Sequence, residues 1–259
     1  MKKDGTTIPV VIQATHIKKG NKVIGVRGVI VDITQVEHAK KLIEKAKNDL
    51  EETIKERSFE LKLTNAKLQR IIQETISALS FAIEKRDPYT AGHQQRVAQL
   101  TSAIAEKLGF SLSRIKGLHM AALIHDIGKI YVPAEILSKP AQLNKIEFDI
   151  IRLHSKVGYD ILHTIEFPWP IAQAVLQHHE RLDGSGYPFR LTDDEISMEA
   201  KIIAVADVVE AMASHRPYRP ALGMDKALKE ISKNKGILYD PTIVTVCEKL
   251  ITKETFKFK

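Results

Sequence analysis

The pattern of apolar and polar positions divides the chain into three stretches. Residues 1–34 carry a β-branched run from Ile8 to Ile17, a break at Lys18-Lys19-Gly20-Asn21, and a second run from Val23 to Ile33. This predicts two strands joined by a turn. Two strands alone are marginal in water, so the piece reads as a fragment of a larger sheet or as one that packs on a partner. Residues 35–86 contain neither Pro nor Gly. Ile43 and Leu50 are seven apart, as are Ile54, Leu61 and Leu68; a four-residue step separates the two sets, and Ile72 and Leu79 continue the stripe. Sevenfold spacing broken by a four-residue step is a coiled-coil pattern with a stutter, and so long a helix with so little apolar surface calls for a parallel partner. Residues 87–259 change to short helical periods. Helices are expected at 90–108, at a segment capped by Ser111 or Ser113 and running through His125, and at 144–162, 171–179, 198–214, 224–232 and 241–252, with a loop at Asp183-Gly184-Ser185-Gly186. No βαβ alternation is present, so the fold class is mainly α.

Charge and cysteine content narrow the classes. The net charge is +7, and residues 1–75 hold 15 Lys/Arg against 10 Asp/Glu. The basic excess therefore belongs to the long helix and the hairpin, as a solvated face, rather than to a DNA-binding surface. The single cysteine, Cys247, allows no intrachain disulfide and points to a reducing cytoplasm. No apolar stretch approaches the ~18 residues of a membrane span, and no membrane segment is expected.

The third stretch holds the chemistry. Its sharpest feature is His125-Asp126, which follows Ala121-Ala122-Leu123-Ile124 and precedes Ile127-Gly128-Lys129. A carboxylate in an apolar core is costly unless it is paired or coordinates a metal. Asp207 repeats the anomaly inside Ile202-Ile203-Ala204-Val205-Ala206-Asp207-Val208-Val209. With His93, His125, His154, His178 and His179, the two carboxylates make seven N/O ligands. That is too many for one tetrahedral ion and suits two ions sharing a bridge, iron or manganese before zinc. If His125 and Asp126 lie on a helix they point about 100° apart, so each could face a different ion. Lys129, one turn after Asp126, is placed to neutralise charge on a phosphoryl oxygen. His16, His38, His119, His163 and His215 read as ordinary surface or core residues.

These stretches together resemble the HD superfamily of metal-dependent phosphohydrolases, and more narrowly its HD-GYP branch of cyclic di-GMP phosphodiesterases. The matching segments are Arg86-Asp87-Pro88-Tyr89-Thr90-Ala91-Gly92-His93, His125-Asp126-Ile127-Gly128-Lys129, His154 with Gly158-Tyr159, His178-His179-Glu180-Arg181, Asp183-Gly184-Ser185-Gly186-Tyr187-Pro188, Asp207, and Arg216-Pro217-Tyr218-Arg219-Pro220. The resemblance implies that His93, His125, Asp126 and Asp207 hold one metal. Asp126 would bridge to a second ion held by His154, His178 and His179. Lys129 would act in catalysis with Asp126, and Tyr187, Arg216 and Arg219 would contact the substrate. Some members of the branch hold a third metal through a glutamate where this chain has Tyr89, so two divalent ions are expected. Residues 25–34, leading into the long helix, resemble the last strands of a PAS sensor domain and its signal helix.

The expected organisation is a PAS remnant at 1–34, a coiled-coil signalling helix at 35–74 and a helical HD-GYP domain at 75–259. The expected activity is hydrolysis of cyclic di-GMP to linear pGpG, with GMP as the product of a second cut. The partners implied are a second copy through residues 35–79, and a diguanylate cyclase or another signalling protein. Two alternatives stand beside this: an HD hydrolase of another nucleotide or cyclic dinucleotide, and a catalytically silent cyclic di-GMP receptor.

Overall fold

The computed structural model describes residues 3, 5–86, 92–139, 141–214, 222–253, 256 and 258. The chain divides into two compact units, Met1–Gln69 and Arg70–Lys259.

In the first unit, β1 (Val10–Lys19) and β2 (Lys22–Asp32) pair antiparallel, with Val10 opposite Asp32 and a register irregularity after Ile17. The alternating β-branched side chains are exposed on both faces: Ile12 is 63% and Ile30 67% accessible. Asp32 then accepts hydrogen bonds from the Thr34 backbone N–H and hydroxyl, opening α1 (Thr34–Arg86). The stripe residues Ile43, Leu50, Ile54, Leu61, Leu68, Ile72 and Leu79 all lie exposed.

In the second unit, the end of α1 buries Ile76 and Ile83 against α2 (His93–Lys107) and the rest of a helical bundle. The order continues through α3 (Leu112–Leu123), a 3-10 segment (Ile127–Tyr131), α4 (Ala134–Leu137), α5 (Lys145–Leu162), α6 (Ile171–Gln177), α7 (Met198–Ala213), α8 (Met224–Lys233) and α9 (Pro241–Thr252). Several ends follow local chemistry. Ser111 caps α3 by accepting from the Arg114 N–H. Asn144 and Glu147 form a reciprocal capping box at α5. Asp240 caps α9, with Pro241 at its first turn. The unusually apolar α7 is the central element; its Ile202, Ile203, Val205, Ala206 and Val209 are fully buried and pack on α2, α6, α8 and α9. The fold is mainly α, with one small two-stranded sheet.

One expectation fails. The helix read as running through His125 stops at Leu123, and the doublet lies in the turn between α3 and the 3-10 segment. Ile124 and Asp126 have ψ of 16° and 9°, outside helical geometry, and the Asp126 carbonyl accepts from the Lys129 N–H. Composition hides this break, because neither glycine nor proline falls between Gly117, inside α3, and Gly128. Gly128 explains the tight packing that follows: a Cβ there would lie 1.9 Å from the His154 carbonyl oxygen and 2.6 Å from the Gly158 N. Two glycines thus bring the 3-10 segment and α5 into backbone contact. The helix expected to run to His179 likewise ends at Gln177, leaving His178 as its cap.

Candidate metal centre

Five elements deliver the seven side chains. His93 opens α2, His125 and Asp126 occupy the α3 exit turn, and His154 sits mid-α5. His178 and His179 follow α6, and Asp207 lies on α7. His93, His125, Asp126, His154 and His178 are each at most 3% accessible. Three groups have ligand atoms within 4.8 Å of one another: His93 with His125 and Asp207, His154 with His178 and His179, and His125 with Asp126 and His178. The structure therefore gathers all seven expected ligands, and it places His178 near both halves rather than beside His154 and His179 alone.

A shared device aims the imidazoles. Nδ1 of His125, His154 and His178 hydrogen-bonds the carbonyl three residues earlier, at Ala122 (2.7 Å), Ile151 (2.6 Å) and Val175 (2.6 Å). A carbonyl only accepts, so Nδ1 carries the proton and Nε2 keeps its lone pair for the centre. Nε2 of His154 and His178 approach to 3.3 Å. Asp126 divides its oxygens: Oδ1 lies 3.4 Å from His154 Nε2, while Oδ2 lies 3.6 Å from His125 Nε2 and accepts from Lys129 Nζ at 2.6 Å. This two-sided placement is what a bridging carboxylate requires.

The electrostatics agree with ligation. Burial pushes His154 and His179 down from the ordinary imidazole range, and His178 down to about 3, so all three are neutral at pH 7. Burial opposes ionisation of Asp126 and Asp207. Lys129 and three histidines outweigh it at Asp126, and His93 does so at Asp207; both stay well below the usual carboxylate range. His93 is the exception among the rings: burial lowers it, but its bonds to Asp207 and Glu210 win and raise it to about 9. Neutral imidazoles and ionised carboxylates are the donor set a divalent ion needs, and the residues present fit two such ions. Cys247 is fully buried in the bundle core, its thiol pushed up to about 12 by burial, and it offers no thiolate.

Three side chains around the centre escape sequence reasoning. Glu210, 1% accessible, bonds His93 Nδ1 and takes Arg96 Nε at 2.7 Å and the Ser214 hydroxyl at 2.6 Å. Its signal was its place one turn after Asp207 in the same apolar helix. Glu180 accepts from the Phe189 and Leu191 N–H groups at 2.7 and 3.0 Å, fixing the loop that carries Tyr187. Glu84, near the end of α1, accepts from the Gly92 and Gln94 N–H groups at 3.0 and 3.3 Å. It serves α2, whose N-cap Gly92 has no side chain, and nothing in the sequence marks that role.

Of the expected substrate contacts, Tyr187 stands with its ring 4.7 Å from the His179 ring and 6.3 Å from that of His154. Arg216 and Arg219 lie outside the described residues, as do Tyr89 and His215. His119 bonds Ser102 and the Ala98 carbonyl, and His163 stacks on Tyr159, both apart from the centre.

Known proteins are similar to this chain in sequence. The chain is 41% identical over 174 residues to the cyclic di-GMP phosphodiesterase response regulator RpfG of Xanthomonas campestris pv. campestris, covering 66% of this chain and 46% of the relative. It is 41% identical over 179 residues to a cyclic di-GMP phosphodiesterase of Thermotoga maritima (68% and 49% covered). It is 38% identical over 176 residues to the 3'3'-cGAMP-specific phosphodiesterase 3 of Vibrio cholerae (68% and 38%). The chain spans about half the length of these relatives or less. A crystal structure of a cyclic GMP-AMP-specific phosphodiesterase from V. cholerae shares the fold, with a TM-score of 0.55 at 18% identity over 70% of this chain and 49% of that one. The HD domain family matches residues 77–243, a span that takes in every clustered ligand from His93 to Asp207, and the chain belongs to that family.

Proposed function

We propose that the chain is a binuclear-metal phosphodiesterase that opens cyclic di-GMP to linear pGpG. The observation that carries this reading is the two-sided Asp126 carboxylate among seven clustered ligands, five of them buried, with the Lys129 ammonium on one of its oxygens. His93, His125 and Asp207 would hold one ion, His154, His178 and His179 the other, with Asp126 between them. Bound there, two divalent ions supply Lewis-acid polarisation of a phosphoryl oxygen and an activated water at neutral pH. The protein's own part is to orient these ligands and to keep Asp126 and Asp207 ionised and His154, His178 and His179 neutral, while His93 gives up its proton when an ion binds. Lys129 is placed to take up charge as it develops on the phosphoryl oxygens. Tyr187, beside His154 and His179, gives a nucleobase or ribose an aromatic wall.

The domain reading extends the proposal. Residues 75–259 would be the catalytic domain, residues 35–74 a coiled-coil signalling helix, with residues 35–79 pairing in parallel with a second copy, and residues 1–34 a sheet remnant of a PAS sensor. The exposed stripe along α1 supports the second of these, and the hairpin exposed on both faces the third. No helix among the described residues is long and apolar enough to cross a membrane, which accords with a cytoplasmic site of action.

A second reading keeps the chemistry and changes the substrate to 3'3'-cGAMP; the V. cholerae relative favours it. One anaerobic assay addresses both. Protein loaded with Fe(II) or Mn(II) is given each cyclic dinucleotide and the products are separated by chromatography. Ring opening of cyclic di-GMP at the higher kcat/KM supports the proposal, and preference for 3'3'-cGAMP supports the second reading. Metal-loaded protein that binds cyclic di-GMP without cleaving it would favour a silent receptor.

A further inference from the structure

Beside Tyr187 a cavity of about 360 Å³ opens between α5 and the loop that Glu180 fixes. Arg152, Lys156 and Arg190 contribute to its wall, and among the described residues no carboxylate or amide side chain lines it. Lys156 and Arg190 are exposed. Arg152 is held by rings more than by hydrogen bonds. Its guanidinium carbon lies 4.7 Å from the Phe148 centroid and 5.2 Å from that of Tyr187. Its nearest carboxylate is Asp149, at 3.6 Å, and its buried Nε has no hydrogen-bond partner among the described residues. A guanidinium set by stacking, whose Nη1 meets Asp149 only at 3.6 Å, has Nη donors to turn to an anion.

The loop side of the cavity is closely packed. Gly184 adopts a φ of 76°, and a Cβ on Gly186 would lie 2.4 Å from the Glu180 Cα, so the loop lies directly on the Glu180 main chain. The cavity is also close to the chemistry: the ring that stacks with Arg152 is the one 4.7 Å from His179.

We propose that this pocket receives the phosphodiester of a cyclic dinucleotide that is not being cut. The inference rests on the phosphodiesterase reading above. A cyclic dinucleotide carries two phosphodiesters in one ring, so with one at the imidazole cluster the other must sit a short way off. Three cations without a lining carboxylate suit that anion. The guanine edge that carries N1–H and the exocyclic amine would find only the Ser185 and Tyr187 hydroxyls as side-chain acceptors, whereas the three cations match an anion. The pocket would then separate cyclic dinucleotides from simple diesters, which have no second phosphate.

The test compares cyclic di-GMP with bis(p-nitrophenyl) phosphate in wild type, Lys156→Gln and the double variant Lys156→Glu/Arg190→Glu. Both positions are exposed, and Lys156→Gln serves if the double variant folds poorly. Loss of charge-assisted phosphate contacts should lower the ratio of kcat/KM values, cyclic dinucleotide over simple diester, by about tenfold or more in the double variant, chiefly through KM. Titration of metal-free protein with cyclic di-GMP should show a weakened Kd in the same order of variants. A ratio and a Kd unchanged in both variants, with wild type cleaving cyclic di-GMP, would overturn the pocket assignment alone. Wild type that cleaves the simple diester but no cyclic dinucleotide would overturn the function reading and the pocket with it.

Discussion

Glu210 reaches His93 from α7 and bonds its Nδ1, while Nε2 of the same ring lies 3.3 Å from Asp207 Oδ1. One helix therefore supplies both a candidate ligand and, a turn later, the group that orients another. Because Glu210 is also tied to Arg96 and Ser214, its position does not depend on His93. Substitution of such an outer partner weakens metal binding by about 10–100-fold in comparable sites. Glu210→Gln should therefore keep the fold and lower metal affinity within that range, read by competition with a chelating indicator. Affinity equal to wild type would show that Asp207 alone orients the ring.

Lys129 should affect turnover rather than assembly. Its ammonium bonds Asp126, yet the carboxylate keeps its other oxygen toward His154. Lys129→Ala is expected to retain its metal ions and lose about 10²–10³ in kcat, the usual scale for one transition-state donor. Elemental analysis alongside steady-state kinetics checks both halves. Loss of metal together with rate would make Lys129 structural.

Gly128 should not tolerate a side chain. An added methyl would meet the His154 carbonyl oxygen at 1.9 Å, which is backbone and cannot swing away. Gly128→Ala should cost about 1–3 kcal/mol or more, as overpacking does, and displace His154. Thermal melting and metal content of the variant report the two effects. A wild-type melting temperature would contradict the close packing of the 3-10 segment on α5.

Glu84 ties the end of α1 to the start of α2, the helix that carries His93. Replacing a cap by alanine costs about 0.5–2 kcal/mol. Glu84→Ala should therefore lower the melting temperature by about 2–4 °C per kcal/mol for a unit of this size. Calorimetry decides it, and no change would mean water replaces the carboxylate without cost.

Much of this was legible in the sequence, and the rest was hidden for definite reasons. The hairpin, the unbroken α1 and the capped starts of α3, α5 and α9 are written in local chemistry that no distant contact overrides. The seven ligands are conspicuous because imidazoles and carboxylates interrupt apolar runs. The turn at His125-Asp126 was not legible, since Ala121 to Ile124 continue the apolar run of α3 with no glycine or proline before the doublet, and the break is set by packing of Gly128 on α5. Glu84, Glu180 and Glu210 look like ordinary charged residues; only the three-dimensional arrangement shows their carboxylates holding N–H groups and a ring nitrogen. The mixed neighbourhood of His178 was equally invisible, because chain order cannot say which imidazoles meet.

A centre of two ions bridged by Asp126 has a definite metal stoichiometry, which elemental analysis reads. Anaerobically purified wild-type protein should contain two divalent ions per chain; Asp126→Ala should contain none, and His125→Ala should mainly weaken one. Three ions per chain in wild type, or a full complement in Asp126→Ala, would contradict the account.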